Sequence, residues 1–486
     1  MRRINLTLLP ACALAIYGLV GQVLFLLEQS VPSWILIVSL ASAIGLFIRF
    51  PPRAESPAHA PTTSPFFWGA AVILLGLFVW SAWTSCVTPD RSWDGLVSWS
   101  LRANALGSPA DLSNTFYSEH EVFAHSRAYP LLQPLILASL GDFLGGHLAR
   151  LLFPLLYLSI ILLILDTGRI LGASYKWALL IAMAAAWTPG YHDVGAGGLD
   201  SGYGDLFLAY AIAVGAAGLL LENSLCLFLA CLLLPWIKPE GIVYAFLFSS
   251  VLAFGPSRRA LLAAAAGLGL SLLLWLPVRA RLSFSPQSYI LLVGPAVTIL
   301  LLLLHVGLQR LRSKKKRVLA LGLLASLLLI AGILGRSWLA ESNDLMLRIF
   351  ATNLDQLPDR LSSLPALLLG FVITLFSAKT LGLVFVLLVP AFFLVRARQG
   401  SGGSHLWWFL CLSLLVFLVA ILLSPERDLA HELRSRLARL VLQIVPAAWI
   451  YLTQVGALAS KDPVVAGPVS DGCEDSEPTP SARGLG

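Results

Sequence analysis

Four polar stretches interrupt an otherwise apolar chain of 486 residues, and each carries side chains capable of acid–base or phosphate chemistry. The first is Trp93-Asp94-Gly95-Leu96-Val97-Ser98-Trp99-Ser100-Leu101-Arg102. A carboxylate beside an aromatic anchor at a membrane surface can face an aqueous pocket and take a proton from a reacting hydroxyl, which makes Asp94 the best single candidate for a general base. A plain loop acid next to an interfacial Trp is the alternative. The second stretch, Asp200-Ser201-Gly202-Tyr203-Gly204-Asp205, follows Gly195-Ala196-Gly197-Gly198. Glycines let a backbone approach a ligand closely, while Asp205 at a helix start could equally serve as a cap. In the third, Trp236-Ile237-Lys238-Pro239-Glu240-Gly241, Lys238 is either a phosphate ligand or simply the partner of Glu240. The fourth is Arg434, Arg436 and Arg439, where a lipid phosphate could be held and where snorkelling toward headgroups also suffices. Charges at bilayer depth cost about 2.5–3.5 kcal/mol, so each of these groups needs a reason to be there.

Other chemistries find no support. Glu119, His120 and His125 lie on a polar loop without paired-His spacing, and the six cysteines lack metal-ligand spacing. No Walker A sequence, nucleophile elbow or dinucleotide-binding glycine pattern occurs. No cofactor is required by any motif; a divalent cation is the one addition that the acidic loop leaves open.

The elements that must position these groups are helices in lipid. Hydrophobic residues make up 58% of the chain and charged ones 12%, with a mean hydropathy of +0.82, against about 25% charged in an ordinary soluble domain. A soluble globule is excluded. Apolar runs recur from end to end, rich in Leu and Ala, and lack the ten-residue alternation of an outer-membrane barrel. The expectation is an all-α polytopic bundle of about 12–14 spans, with short runs accommodated by tilt or thinning. Residues 1–66 supply two N-terminal spans and a linker. Residues 67–256 form a membrane module with a first external loop at 87–149, of which 129–149 reads as a juxtamembrane or re-entrant helix. Residues 257–459 form a second module containing an external amphipathic segment at 335–377, and 460–486 is a disordered cytoplasmic tail. The net charge of +7 sits in short loops. Arg169 and Lys176, Arg258 and Arg259, the 310–317 run, and Arg396 and Arg398 all fall on one side, so the positive-inside rule makes that side cytoplasmic and puts Asp94, Asp205, Lys238 and Arg439 outside. Nucleic acid is not an expected partner.

Taken in order, these motifs resemble the GT-C superfamily of integral membrane glycosyltransferases, and in particular bacterial relatives of the dolichyl-phosphate-mannose protein mannosyltransferases. The resemblance runs from about Phe67 to Pro446. It rests on Trp93-Asp94 with Trp99 and Arg102, on His125-Ser126-Arg127-Ala128-Tyr129-Pro130-Leu131-Leu132-Gln133-Pro134, on Ser201-Gly202-Tyr203-Gly204-Asp205, on Lys238-Pro239-Glu240-Gly241, and on Arg439 ahead of Pro446. It departs from the family where Gly95, rather than a second acid, follows Asp94. What it implies is an inverting transfer of a sugar from a polyprenyl-phosphate donor to a hydroxyl of a glycan, lipid or protein acceptor, at the periplasmic face of a bacterial inner membrane. Asp94 would be the base, Lys238, Arg102 and Arg439 the ligands of the donor phosphate, and Trp93, His125, Tyr129, Asp205 and Glu240 the pocket. A transporter or flippase of lipid-linked sugars is the alternative from another class, although no internal repeat supports it. An O-antigen ligase or polymerase is a third reading, disfavoured by the early position of the Asp94 loop.

Overall fold

The computed structural model describes residues 6–49, 65–88, 95–107, 129–253, 257–282, 361–377, 379, 381–399, 405–422 and 433–460. All of its regular elements among these residues are helices. In chain order they are α1 (Leu9–Leu26), α2 (Trp34–Arg49), α3 (Pro65–Val87), α4 (Leu101–Leu106), α5 (Leu132–Leu144), α6 (Leu152–Ile170), α7 (Tyr175–Ala186), α8 (Asp205–Leu221), α9 (Ser224–Ile237), α10 (Gly241–Ala253), α11 (Arg258–Leu282), α12 (Leu364–Leu375), α13 (Val384–Gln399), α14 (His405–Leu422) and α15 (Ala438–Ala459).

Among the described residues, six helices are long and apolar enough to cross a membrane: α1, α3, Gly146–Ile170 (α6 with the turn before it), α11, α14 and α15. The remaining apolar helices are shorter. α7, α9 and α10 have 12, 14 and 13 residues, where a full crossing needs about 20. The breaks between the shorter helices are built into the backbone. Gly172 takes a positive φ after α6, Glu222 a left-handed one after α8, and Lys238-Pro239 breaks the chain after α9. Of the expected spans, 289–309 and 317–334 lie outside the described residues, as do the linker, the basic run at 310–317, and the tail beyond Ser460. Of the segment at 335–377, the charged part before residue 361 lies outside the described residues, and α12 is an apolar helix burying Leu367, Phe371 and Leu375, one per turn.

α8 is the axis of the bundle. Every residue of it except Leu220 is buried, and it packs against α6, α9, α10, α14 and α15. A helix apolar all round must be enclosed, and Ala209, Ala211, Ala213, Gly215, Ala216, Ala217 and Gly218 let neighbours approach on every side. At Gly215 the neighbour is Phe248, itself stacked on Phe409 with ring centroids 4.2 Å apart. A close backbone contact joins α9 and α11, where a Cβ at Gly267 would lie 2.3 Å from the Phe228 carbonyl oxygen. One turn on, the Trp236 indole donates to the Ser271 carbonyl at 3.1 Å. Gly267→Ala is therefore expected to destabilise by about 1–3 kcal/mol, because backbone cannot yield as a side chain can. Gly76→Ala, on open α3, should be neutral within about 0.5 kcal/mol; unfolding midpoints in detergent compare the two.

Two tyrosines inside the bundle are satisfied locally. The Tyr210 hydroxyl accepts from the Ala11 amide at 3.0 Å, one of the orphan donors at the start of α1, and donates to the Thr7 carbonyl at 3.2 Å. The Tyr17 hydroxyl reaches the Leu135 carbonyl and Ser139 on α5. The outward face of α3 presents Trp68, Trp80 and Trp83 instead. Exposed aromatic and aliphatic surface of this kind is stable in lipid and unfavourable in water.

The bundle has two chemically different ends. At one, Thr7 donates to Asp166, Arg169 covers the Tyr175 ring, the Ser174 amide donates to Ser460 and Arg398 donates to the Leu458 carbonyl. At the other lie the start of α8, the turn between α9 and α10, and the start of α15, and there the motif residues meet.

Candidate functional site

Asp205 is the first residue of α8, yet it is not its cap. Its side chain is fully buried and is directed away from the helix amides. One carboxylate oxygen accepts from Lys238 Nζ at 2.8 Å and from Gln443 Nε2 at 2.5 Å. The other accepts from Arg439 Nε at 3.2 Å and Nη2 at 3.1 Å. Gln443 in turn accepts from the Tyr244 hydroxyl at 2.6 Å. Five side chains on α8, α10, α15 and the turn after α9 thus form one saturated network, in which each carboxylate oxygen takes two donors.

Local sequence builds each part. Lys238 is extended, with φ −149° and ψ 155°, as the residue before a proline must be, and this swings its side chain off the end of α9. The following turn closes by a bond from the Gly241 amide to the Lys238 carbonyl. Only glycine fits at 241, since a Cβ there would lie 1.9 Å from the Leu234 carbonyl oxygen. Gly197, at φ +83°, lays its backbone against the Asp205 carboxylate, with a Cβ position 2.9 Å from the nearer oxygen. Arg439 and Gln443 are one helical turn apart and so share a face of α15.

The expected choice between Lys238–Glu240 and a phosphate site is thereby revised. Glu240 is the weaker partner, 3.6 Å from Lys238 Nζ and exposed, whereas the close and buried partner is Asp205. Arg439 remains partly exposed and lies flat on Tyr203, its guanidinium carbon 3.6 Å from the ring centroid; such stacking contributes about 0.5–2 kcal/mol.

A second group adjoins the first. Gly204 touches Trp99, Gln133 and the Lys238 stem. The Trp99 ring lies 6.2 Å from that of Tyr129 and 6.0 Å from the Arg102 guanidinium carbon. Arg102, fully buried, donates to the Tyr129 carbonyl at 3.0 Å. The backbone carbonyl of Tyr129 thus helps to hold this cation. Among the described residues, these two groups bring together the cations Arg102, Lys238 and Arg439 with the carboxylates Asp205 and Glu240. Asp94, Trp93 and His125 lie outside the described residues; the chain re-enters at Gly95 in a wide π-helical turn, Gly95–Ser100, that carries Trp99.

Sequence reading passed over Gln443, Tyr244, Gln133 and Tyr203 as site residues. The signal for two of them was present: Gln133 and Gln443 are uncharged amides inside apolar runs, where an unpaired polar group is costly.

Beside this site, the loop from Pro189 to Ser201 is stitched by the Ser201 hydroxyl to the Gly198 carbonyl at 2.6 Å and by Ser85 to Asp200 at 3.3 Å. Burial pushes the His192 imidazole below its ordinary value, against a bond to the Ala186 carbonyl and the nearby Asp200 charge, which both raise it. A depressed imidazole favours the fold above the usual histidine range and loses that contribution as pH falls through it. Among the described residues, no three His, Cys, Asp or Glu side chains stand together as a metal site. Neither family models nor curated proteins nor solved structures yield a match to this chain.

Proposed function

We propose that the protein is an integral-membrane glycosyltransferase of GT-C-like architecture that moves a sugar from a polyprenyl-phosphate donor to an acceptor hydroxyl. The observation that carries the reading is convergence. Trp99 and Arg102, Tyr129 and Gln133, Tyr203 and Asp205, Lys238 and Glu240, and Arg439 come from segments hundreds of residues apart and meet at one end of an apolar bundle. Three cations at the boundary of an apolar body suit a ligand with an anionic head and a hydrocarbon tail. The opposite end carries Arg169, Lys176, Arg396 and Arg398, so by the positive-inside rule the site faces the external side.

In the proposed step, the acceptor oxygen attacks the anomeric carbon while the bond from that carbon to the phosphate oxygen breaks, its electron pair leaving with the lipid phosphate. Asp94 takes the hydroxyl proton, and the configuration inverts. Arg439, the most accessible of the three cations, would meet the phosphate first. Lys238 and Arg102 sit behind it and oppose the charge that grows on the leaving group. No nucleotide is needed.

The test is transfer by the purified protein in proteoliposomes, supplied with polyprenyl phosphate bearing a radiolabelled hexose and a hydroxyl acceptor. Label should move into the acceptor. Movement of the intact lipid across the bilayer without transfer would replace this reading with the transporter one.

A further inference from the structure

Gln133, at the start of α5, is fully buried. Its amide nitrogen donates to the Gly202 carbonyl at 3.0 Å, which fixes the orientation of the group, since the flipped amide would set two carbonyl oxygens face to face. That leaves Oε1 pointing the other way, without a hydrogen-bond partner in the protein. A buried acceptor left unmade is costly and calls for an explanation, the more so where it adjoins Lys238 and Trp99.

The surroundings narrow what could supply the missing donor. A methyl built on Gly204 would lie 3.0 Å from this oxygen, 3.2 Å from Lys238 Cγ and 3.2 Å from Trp99 Cζ2. The oxygen therefore looks past an indole edge and a methylene stem. An ordered water needs two to four polar partners, and these two walls offer none. A phosphate oxygen is repelled by the carbonyl dipole, and an ammonium group by Lys238 beside it. A neutral donor remains, which on a sugar is a hydroxyl. Trp99, which shares the space over Gly204 with this oxygen, sits on the π-helical turn at 95–100; turns of this kind are frequent at functional positions.

We infer that Gln133 is a specificity-determining residue whose Oε1 accepts a hydrogen bond from a hydroxyl of the ligand, so that the site takes a phosphorylated polyol rather than a bare lipid phosphate. The inference rests on the transferase reading and adds a residue that recognises the sugar itself. The cations hold the phosphate, Gln133 reads the ring next to it, and the two contributions separate experimentally.

The experiment measures binding of two probes to the full-length protein in nanodiscs: C55 polyprenyl phosphate, and the same lipid carrying one hexose. The wild-type protein should prefer the sugar-bearing lipid. Gln133→Leu should reduce that preference by about tenfold, the worth of one ordinary hydrogen bond, with affinity for the bare phosphate unchanged. Should Gln133→Leu fail to fold, Gln133→Met supplies the same reading, because the unbranched side chain keeps the length of glutamine and removes the acceptor. A preference that survives in the folded variants overturns the role of Gln133, and so does a wild-type protein that binds both lipids equally. Binding of neither lipid overturns the transferase reading itself, and this inference with it.

Discussion

Asp205→Asn is expected to cost about 3–5 kcal/mol of stability, the usual penalty for leaving buried charges without their partner. The carboxylate is wholly enclosed and takes four donor contacts from Lys238, Gln443 and Arg439. The asparagine keeps the shape but removes the charge, and its amide nitrogen would face a donor where an acceptor stood. Lys238 suffers most, since among the described residues its other close carboxylate is Glu240, at 3.6 Å and partly exposed. Arg439 is partly exposed already and can turn toward water. The double variant Asp205→Asn/Lys238→Met should therefore recover much of the loss, because it withdraws the stranded cation while keeping an unbranched apolar stem. Denaturation in detergent reads both steps. If the single variant melts within about 0.5 kcal/mol of wild type, the network is solvated and the geometry described for it is wrong.

This network also explains why the site was only half legible in the sequence. Asp205, Lys238 and Arg439 stand out because an ionisable residue in an apolar run is conspicuous, whatever it does. Which of them pair is a tertiary fact. Lys238 has Glu240 two residues away and Asp205 thirty-three residues back, and sequence proximity favours the wrong one. The turn decides it, since Pro239 extends Lys238 and throws its side chain toward the start of α8. Gln443 and Tyr244 were harder still, for uncharged polar groups in membrane helices announce no partner until the helices are packed.

The helical class was legible for the opposite reason: composition alone forces backbone groups to be satisfied within helices. The break at Lys238-Pro239 was legible as well, and it divides Ser224–Ala253 into helices of 14 and 13 residues. The same break that shortens the helices delivers the lysine to the site. A helix too short to span on its own can still be stable where its neighbours enclose it, and α8 and α9, both almost entirely buried, are enclosed in this way.

Asp94→Asn is expected to lower sugar transfer by about 10²–10⁴-fold, the contribution of a positioned general base, while expression, melting temperature and affinity for the donor lipid stay near wild type. The amide preserves the volume of the carboxylate but cannot take the proton from the attacking hydroxyl. Arg439→Ala should behave differently. It removes a cation proposed to meet the phosphate both in the bound donor and at its departure, so donor affinity and turnover should fall together. The division of labour follows from the two kinds of polar group. The Asp205 carboxylate is surrounded by donors and its lone pairs are committed, which leaves it unsuited to act as a base, and the proposal gives that part to Asp94. Single-turnover transfer measured beside donor binding separates the cases. Full activity in Asp94→Asn would remove it as the base, and loss of donor binding in that variant would recast it as a binding residue.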